Sequence, residues 1–204
     1  MRSFWFDPYL WIHLAGIVAV PICLLLCWLG LAVGNPIWPI WLELLLISVV
    51  GIAPVLWMQL ARPFNIFSVL IFALKPEQLT TEQRKILSLF QTNSQRVLAV
   101  LTPIALVVIL WQIYRAAPMA ASITPFPPNW RLAGLALTAI AFLLSNLFLQ
   151  VPLSVAKVLM TSESAFAATE PYPLDKIPRD FTLAGFQVNR IFPLIFVQGR
   201  QSSS

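Results

Sequence analysis

The chain has 204 residues, of which 59% are hydrophobic and 10% are charged, and its formal net charge is +5. A mean hydropathy of +0.81 excludes an ordinary soluble domain and is typical of a small membrane protein. The cations lie beside hydrophobic runs, which favours topology signals and contacts with membrane lipid over a nucleic-acid partner.

The first hydrophobic run, residues 10–33, is long enough to cross the hydrocarbon layer of roughly 30 Å as a helix. Pro21 predicts a kink in this helix, which a membrane environment tolerates. Cys23 and Cys27 lie one helical turn apart in the same run. They predict buried small hydrophobic side chains rather than a disulfide framework.

A turn at residues 34–36 leads to a second apolar run, 37–60, so we predict that the first two transmembrane helices form an antiparallel hairpin. Residues 64–74 are also apolar, but about a dozen residues are too few to span a bilayer. Cations at both ends predict a helix that lies in the interface or dips into it. If this stretch crossed the membrane instead, the orientation of everything after it would be reversed.

Residues 79–83 have the form of a helix start, with Thr80 as N-cap, Gln83 at the capping-box position and Glu82 in the first turn. Apolar residues then recur at helical spacing and predict an amphipathic surface helix, either separate from the third span, 97–114, or continuous with it. We predict that this helix docks a partner through Arg84, Lys85, Ile86, Leu89 and Phe90.

A proline-rich loop precedes a fourth span, 130–151, and residues 161–204 form a tail. The predicted fold is therefore all-α, a polytopic membrane protein with four transmembrane helices in two hairpins. An amphipathic cytoplasmic helical segment, residues 62–96, lies between the hairpins. Residues 1–160 form the membrane domain, and the tail is cytoplasmic.

Lysine and arginine are distributed unequally between the two predicted sides of the membrane. Eleven of the thirteen lie in the N-terminus, in residues 59–96 and in the C-terminal part, whereas Arg115 and Arg131 lie on the other side. Under the positive-inside rule, both termini face the cytoplasm.

Three polar side chains within the spans are candidate ligands of a metal or a pigment: His13, Glu43 and Asn146. His13 could bind the magnesium of a chlorophyll or a haem iron, or it could bond to a backbone carbonyl or a lipid headgroup. An ionisable group at the depth of Glu43 is costly, which makes this residue a candidate for a function such as proton relay or cation binding. Alternatively, Glu43 could pair with Arg131. No dedicated metal site is predicted, and chlorophyll or haem is the one kind of cofactor that the pattern allows.

Ser145, Asn146 and Gln150 lie on the fourth span, with the last two one turn apart on the same face. Such groups usually form hydrogen bonds between helices, and together with Arg131 they predict polar interhelical contacts. A substrate path along this face is the alternative.

The sequence contains no glycine-rich phosphate loop, zinc-protease motif or serine-nucleophile motif, so an enzyme is not predicted. The leading hypothesis is a non-enzymatic accessory subunit or assembly factor of a larger membrane complex. A pigment-binding or haem-binding protein is the second hypothesis, and a small transporter or channel component that uses Glu43 is the third.

Strings of residues over nearly the whole chain form a pattern: Arg2-Ser3-Phe4-Trp5, Asp7-Pro8, residues 10–16, Trp41-Leu42-Glu43-Leu44, residues 55–60, Arg62-Pro63-Phe64, residues 74–80, Glu82-Gln83-Arg84 and Val188-Asn189-Arg190. This pattern resembles the low-complexity tail membrane proteins, small cyanobacterial integral membrane proteins without an assigned function. The chain departs from them at its end, where only residues 201–204 suggest a low-complexity tail. The resemblance implies a cyanobacterial thylakoid or plasma membrane and a photosynthesis-linked role, and it implies no active-site residues.

Overall fold

The computed structural model describes residues 3–69, 72–183 and 185–191, so the predicted Ser-rich end of the tail lies outside the described residues. The protein is 73% helical. Four helical segments are long and apolar enough to cross a membrane, which confirms the four predicted spans: Pro8–Leu31, Ile40–Ala61, Asn93–Ile123 and Arg131–Leu159.

Eight helices and three short strands make up the described part of the chain. In chain order they are α1 (Pro8–Ala15), α2 (Ala19–Leu31), α3 (Ile40–Ala61), β1 (Ser68–Val69), β2 (Phe72–Leu74), α4 (Thr81–Phe90), α5 (Asn93–Ala116), α6 (Arg131–Leu159), α7 (Glu163–Ala168), α8 (Ile177–Asp180) and β3 (Phe186–Val188). Short 3₁₀ turns occur at Ser3–Phe6, Gly16–Val18, Pro76–Gln78, Ala117–Ile123 and Leu174–Lys176.

The first span changes from α-helix to a 3₁₀ turn close to Pro21. The 3₁₀ turn Gly16–Val18 separates α1 from α2, immediately before Pro21. A proline has no N–H to donate to the carbonyl four residues earlier, and its ring crowds that carbonyl, so the helix departs from α geometry there. The sequence predicted a kink near Pro21, and the structure has a 3₁₀ turn next to it.

Helix α6 is the centre of the bundle. It packs against α1, α2, α3 and α5, and its contact with α2 is the most extensive in the protein. Helices α2 and α3 make few contacts with each other, so the first predicted hairpin is not a packed pair of helices. The first two spans are instead joined through α6, against which both pack.

Two glycines allow α2 and α6 to approach closely. A Cβ atom built on Gly30 would lie 2.6 Å from the carbonyl oxygen of Gly134, and one built on Gly134 would lie 2.5 Å from the carbonyl oxygen of Gly30. Backbones in membrane bundles come this close where both helices carry small residues at the crossing. The pair therefore sets the distance between the two helices.

The prediction of an interfacial helix at residues 64–74 is wrong, and the fold is not purely α-helical. This stretch contains β1 and β2, which pair antiparallel, and β2 pairs in parallel with β3 from the tail. Ile66 and Phe67 in the same stretch are fully buried. The strands form because β3 supplies hydrogen-bond partners from more than 100 residues away, which a local reading of the sequence does not reveal.

The N-terminal turn, residues 62–69 and 72–92, and the described part of the tail pack together at one end of the bundle, and we call this assembly the cap. One hydrophobic core runs through it, with contributions from α1, α4, the end of α6, α7 and α8. Helix α4 begins at the predicted capping box of Thr80 and Gln83 and is separate from α5. The described tail is therefore part of a packed unit.

Candidate functional site

The polar centre of the bundle is an ion pair between Glu43, in the first turn of α3, and Arg131, at the start of α6. Both side chains are buried, with exposed fractions of 1% and 3%. The second carboxylate oxygen of Glu43 accepts hydrogen bonds from the N–H groups of Ile37 at 2.9 Å and Trp38 at 3.4 Å. The carboxylate is thus fully engaged by the protein.

Arg131 also binds the end of the first span. Its guanidinium donates to the carbonyl oxygens of Leu31 at 2.7 Å and Val33 at 3.0 Å. One side chain therefore joins the end of α2, the start of α3 and the start of α6. A buried charge needs a partner and further hydrogen bonds to be tolerated, and this arrangement supplies both.

Asn146 and Gln150 form a second polar contact further along α6. The Asn146 amide donates to the carbonyl oxygen of Gly51 on α3 at 3.0 Å, and Gln150 donates to the Asn146 side chain at 2.9 Å. Ser145 donates to the carbonyl oxygen of Phe142 in its own helix. Asn146 thus makes the interhelical bond expected of this face, Gln150 supports it, and Ser145 does not cross between helices.

His13 connects the first span to the cap. Its Nε2 lies 2.8 Å from the carbonyl oxygen of Ile66 and 2.9 Å from that of Ser68, so this nitrogen carries the proton and donates. The ring also packs edge-on against Phe64. The sequence left two roles open for His13, a ligand of a pigment or haem and a hydrogen bond to a backbone carbonyl or lipid headgroup. The structure shows hydrogen bonds to backbone carbonyls.

The three candidate ligands do not form one site. His13 contacts the cap, Glu43 lies at the opposite end of the bundle, and Asn146 bonds to Gly51 between them. Within residues 3–69, 72–183 and 185–191, no three His, Cys, Asp or Glu side chains come together. Their common role is to fasten elements of the chain to one another.

The predicted docking face of α4 is covered by the protein itself, which corrects that prediction. Ile86 and Phe90 have exposed fractions of 1% and 6% in the cap core, and Leu89 packs against it. Arg84 donates to the carbonyl oxygen of Tyr172 at 2.7 Å, and Lys85 donates to that of Ala167 at 2.8 Å. The apolar face of α4 is therefore buried in the cap core, and its polar side chains bind the C-terminal tail of the same chain.

One contact in the cap was not predicted from the sequence. Asp7 is the N-cap of α1 and accepts a hydrogen bond from the N–H of Tyr9 at 3.0 Å. Its other oxygen accepts a hydrogen bond from Gln83, which also completes the capping box with Thr80. The starts of α1 and α4 are therefore linked. An Asp before Pro8 is a recognisable start signal, but its partner 76 positions away is not.

We expect Asp7 to make the cap less stable as the pH rises. Burial raises the pKa of Asp7 above its ordinary value of 3.8, and the hydrogen bonds from Gln83 and Tyr9 only partly oppose this. Above pH 3.8 the unfolded chain loses this proton while the folded protein retains it, so the stabilisation is progressively lost until the pH exceeds the raised pKa.

The measurement is thermal unfolding in detergent between pH 3.5 and pH 7, followed by tryptophan fluorescence. Asp7→Asn should flatten the decline. Glu170→Gln removes an exposed carboxylate of the same cap and controls for net charge. An unchanged slope in Asp7→Asn would contradict the expectation.

Comparison with known proteins identifies a family. A family model described as low-complexity tail membrane protein-like matches residues 6–193, which is most of the chain. No curated protein and no solved structure matches significantly. The matched region contains all four spans and most of the cap.

Proposed function

The chain belongs to the low-complexity tail membrane protein-like family, and we propose that it is a non-enzymatic accessory or assembly subunit of a larger membrane complex. The observation that carries the proposal is that each intramembrane candidate for chemistry is engaged in bonds within the protein. Glu43 is held by Arg131, and Asn146 is bonded to α3. Groups used in this way support a scaffold rather than a reaction centre.

The surface that fits this role is the outer face of α3. This helix is the least buried of the four spans. It is held to the bundle mainly by one buried stripe at helical spacing, flanked by partly buried side chains such as Leu44 and Ile52, and its exposed residues are apolar. The stripe consists of Glu43, Ile47, Gly51 and Val55. A span that its own bundle covers on one side only can pack a second transmembrane helix on the other side.

We place the cap in the cytoplasm and both termini with it, in a cyanobacterial thylakoid or plasma membrane, with a photosynthesis-linked partner complex. The packing of the N-terminal turn, residues 62–69 and 72–92, and the described part of the tail into one unit supports a common side for these segments. The excess of Lys and Arg in them supports the cytoplasmic side.

Site-specific photo-crosslinking in native membranes tests the proposal. A crosslinking residue at Val49, which is 54% exposed on α3, should give a discrete adduct with one membrane protein. The same residue at Ile104, which is 58% exposed on α5, is the control and should give mainly lipid adducts. Blue native electrophoresis of gently solubilised membranes should place the protein in a complex larger than the monomer.

A free monomer on the native gel, with lipid adducts alone from Val49, would contradict the proposal. That outcome would mean that the exposed side of α3 faces lipid, as the surface of an independent membrane protein does.

A further inference from the structure

A cavity of about 380 Å³ lies where the cap meets the bundle. It is formed between the start of α5 and the end of α6, so it opens at the depth where a span leaves the hydrocarbon layer. Its volume falls in the range of small-molecule sites. None of the residues assigned to the polar centre of the bundle lines it.

One wall carries a cation. Lys157, in the last turn of α6, is exposed and is the only charged residue among the described residues that line the cavity. The wall beside it is apolar and includes Val158 and Met160, and Met160 is 80% exposed. A positive charge above an apolar surface suits a ligand with an anionic head and a hydrocarbon body.

The opposite wall carries the start of α5. Thr92 and Ser94 line it, and the Thr92 hydroxyl donates to the carbonyl oxygen of Leu89 instead of capping the helix. The first N–H groups of a helix have no partner within the helix and favour an anion. The start of this 24-residue helix therefore adds a second attraction for negative charge.

Gln95 supplies an independent indication of a ligand. It lines the cavity, its exposed fraction is 6%, and its amide nitrogen donates to the carbonyl oxygen of Ser154 at 3.0 Å. Its Oε1 is buried and has no hydrogen-bond partner among the described residues. A buried acceptor without a donor costs free energy, and a ligand that brings a hydroxyl group would remove this cost.

We propose that this cavity binds one anionic phospholipid whose headgroup carries both a phosphate and a hydroxyl. Lys157 and the start of α5 attract the phosphate, and Gln95 accepts a hydrogen bond from the hydroxyl. The acyl chains follow the apolar wall into the membrane. This site is separate from the partner-binding face of α3 and does not depend on the proposed function.

Native mass spectrometry of the purified protein in detergent tests the site, with phosphatidylglycerol, phosphatidic acid and phosphatidylcholine of identical acyl chains as probes. Wild-type protein should retain one phosphatidylglycerol and bind phosphatidylcholine at least about fivefold more weakly. Lys157→Gln should weaken phosphatidylglycerol binding by about fivefold, the effect of one cation at a membrane surface. Gln95→Met should lower the preference for phosphatidylglycerol over phosphatidic acid, because phosphatidic acid lacks the headgroup hydroxyl.

Lys176→Gln removes an exposed cation of the cap that does not line the cavity, and it should bind all three lipids like the wild type. Equal binding of phosphatidylglycerol and phosphatidylcholine by the wild type would overturn the proposal. So would equal effects of Lys157→Gln and Lys176→Gln. Displacement of the lipid by millimolar inorganic phosphate would identify a site for free phosphate instead and would also overturn it.

Discussion

Replacing Glu43 with alanine should destabilise the protein by about 3–5 kcal/mol, the cost of leaving a buried partner charge uncompensated. Arg131 is 3% exposed and would keep its bonds to the carbonyl oxygens of Leu31 and Val33 while losing its only carboxylate partner among the described residues. Glu43→Gln should cost less than the alanine variant, because an amide can still accept a hydrogen bond from the guanidinium. The measurement is equilibrium unfolding in mixed detergent micelles.

The double variant Glu43→Leu with Arg131→Met separates the two contributions. Removing both charges should cost much less than removing either one, because no unpaired ion remains in the bundle. Glu163→Ala, which removes an exposed carboxylate of the cap, is the matched control and should have little effect. Additive losses in the double variant would show that the pair is not the source of the destabilisation.

The same pair bears on the transporter hypothesis made from the sequence. A carboxylate that relays protons or binds ions must exchange partners, whereas Glu43 is bonded to Arg131 and to two backbone N–H groups. Its engagement favours the scaffold role that we propose.

Gly30→Ala and Gly134→Ala should each destabilise the bundle by about 1–3 kcal/mol, the usual cost of overpacking, and a leucine at either position should prevent native packing. The reason is that the added Cβ meets a backbone atom, which cannot rotate away as a side chain can. At Gly30 the new carbon would lie 2.6 Å from the Gly134 carbonyl oxygen, and at Gly134 it would lie 2.8 Å from the Val33 Cβ as well. Separation of α2 from α6 should then be visible as a lower midpoint of unfolding.

Gly16→Ala is the control for this series. Its added carbon would meet only side-chain atoms, the nearest being a ring carbon of Phe148 at 3.4 Å, which is ordinary contact. We expect this variant to be close to wild type in the same unfolding experiment. Equal losses at Gly16 and Gly30 would contradict the view that backbone contact between α2 and α6 sets the helix spacing.

The spans could be predicted well because their signal is local. About 20 consecutive apolar residues define a membrane helix wherever its neighbours lie, since the bilayer itself buries the side chains. The start of α4 could be predicted equally well, because the capping box of Thr80 and Gln83 is complete within four residues. Pro21 acts on the turn just before it, so the change of geometry at Gly16–Val18 was predictable too.

The cap was harder to predict from the sequence, because its contacts are long-range. Residues 64–74 have the apolar character of an interfacial helix, yet β2 pairs with β3, whose residues lie more than 100 positions later. The apolar face of α4 looked like a docking surface for the same reason: a helical pattern identifies a face to be buried but not what buries it. The described tail, through Phe166 and Ile177, covers the core to which that face belongs.

By itself, the sequence determined the membrane class, the number and positions of the spans and the start of α4. It also offered the pairing of Glu43 with Arg131 as one of two alternatives. These depend on hydropathy, charge and short-range spacing, which operate within a few turns of the chain. Only the tertiary structure decided that α6 is the hub, that His13 and the face of α4 are used internally, and that a cavity forms between α5 and α6. Those outcomes depend on which distant segments meet, and distant contacts are selected by the packing of the whole chain rather than by any local pattern.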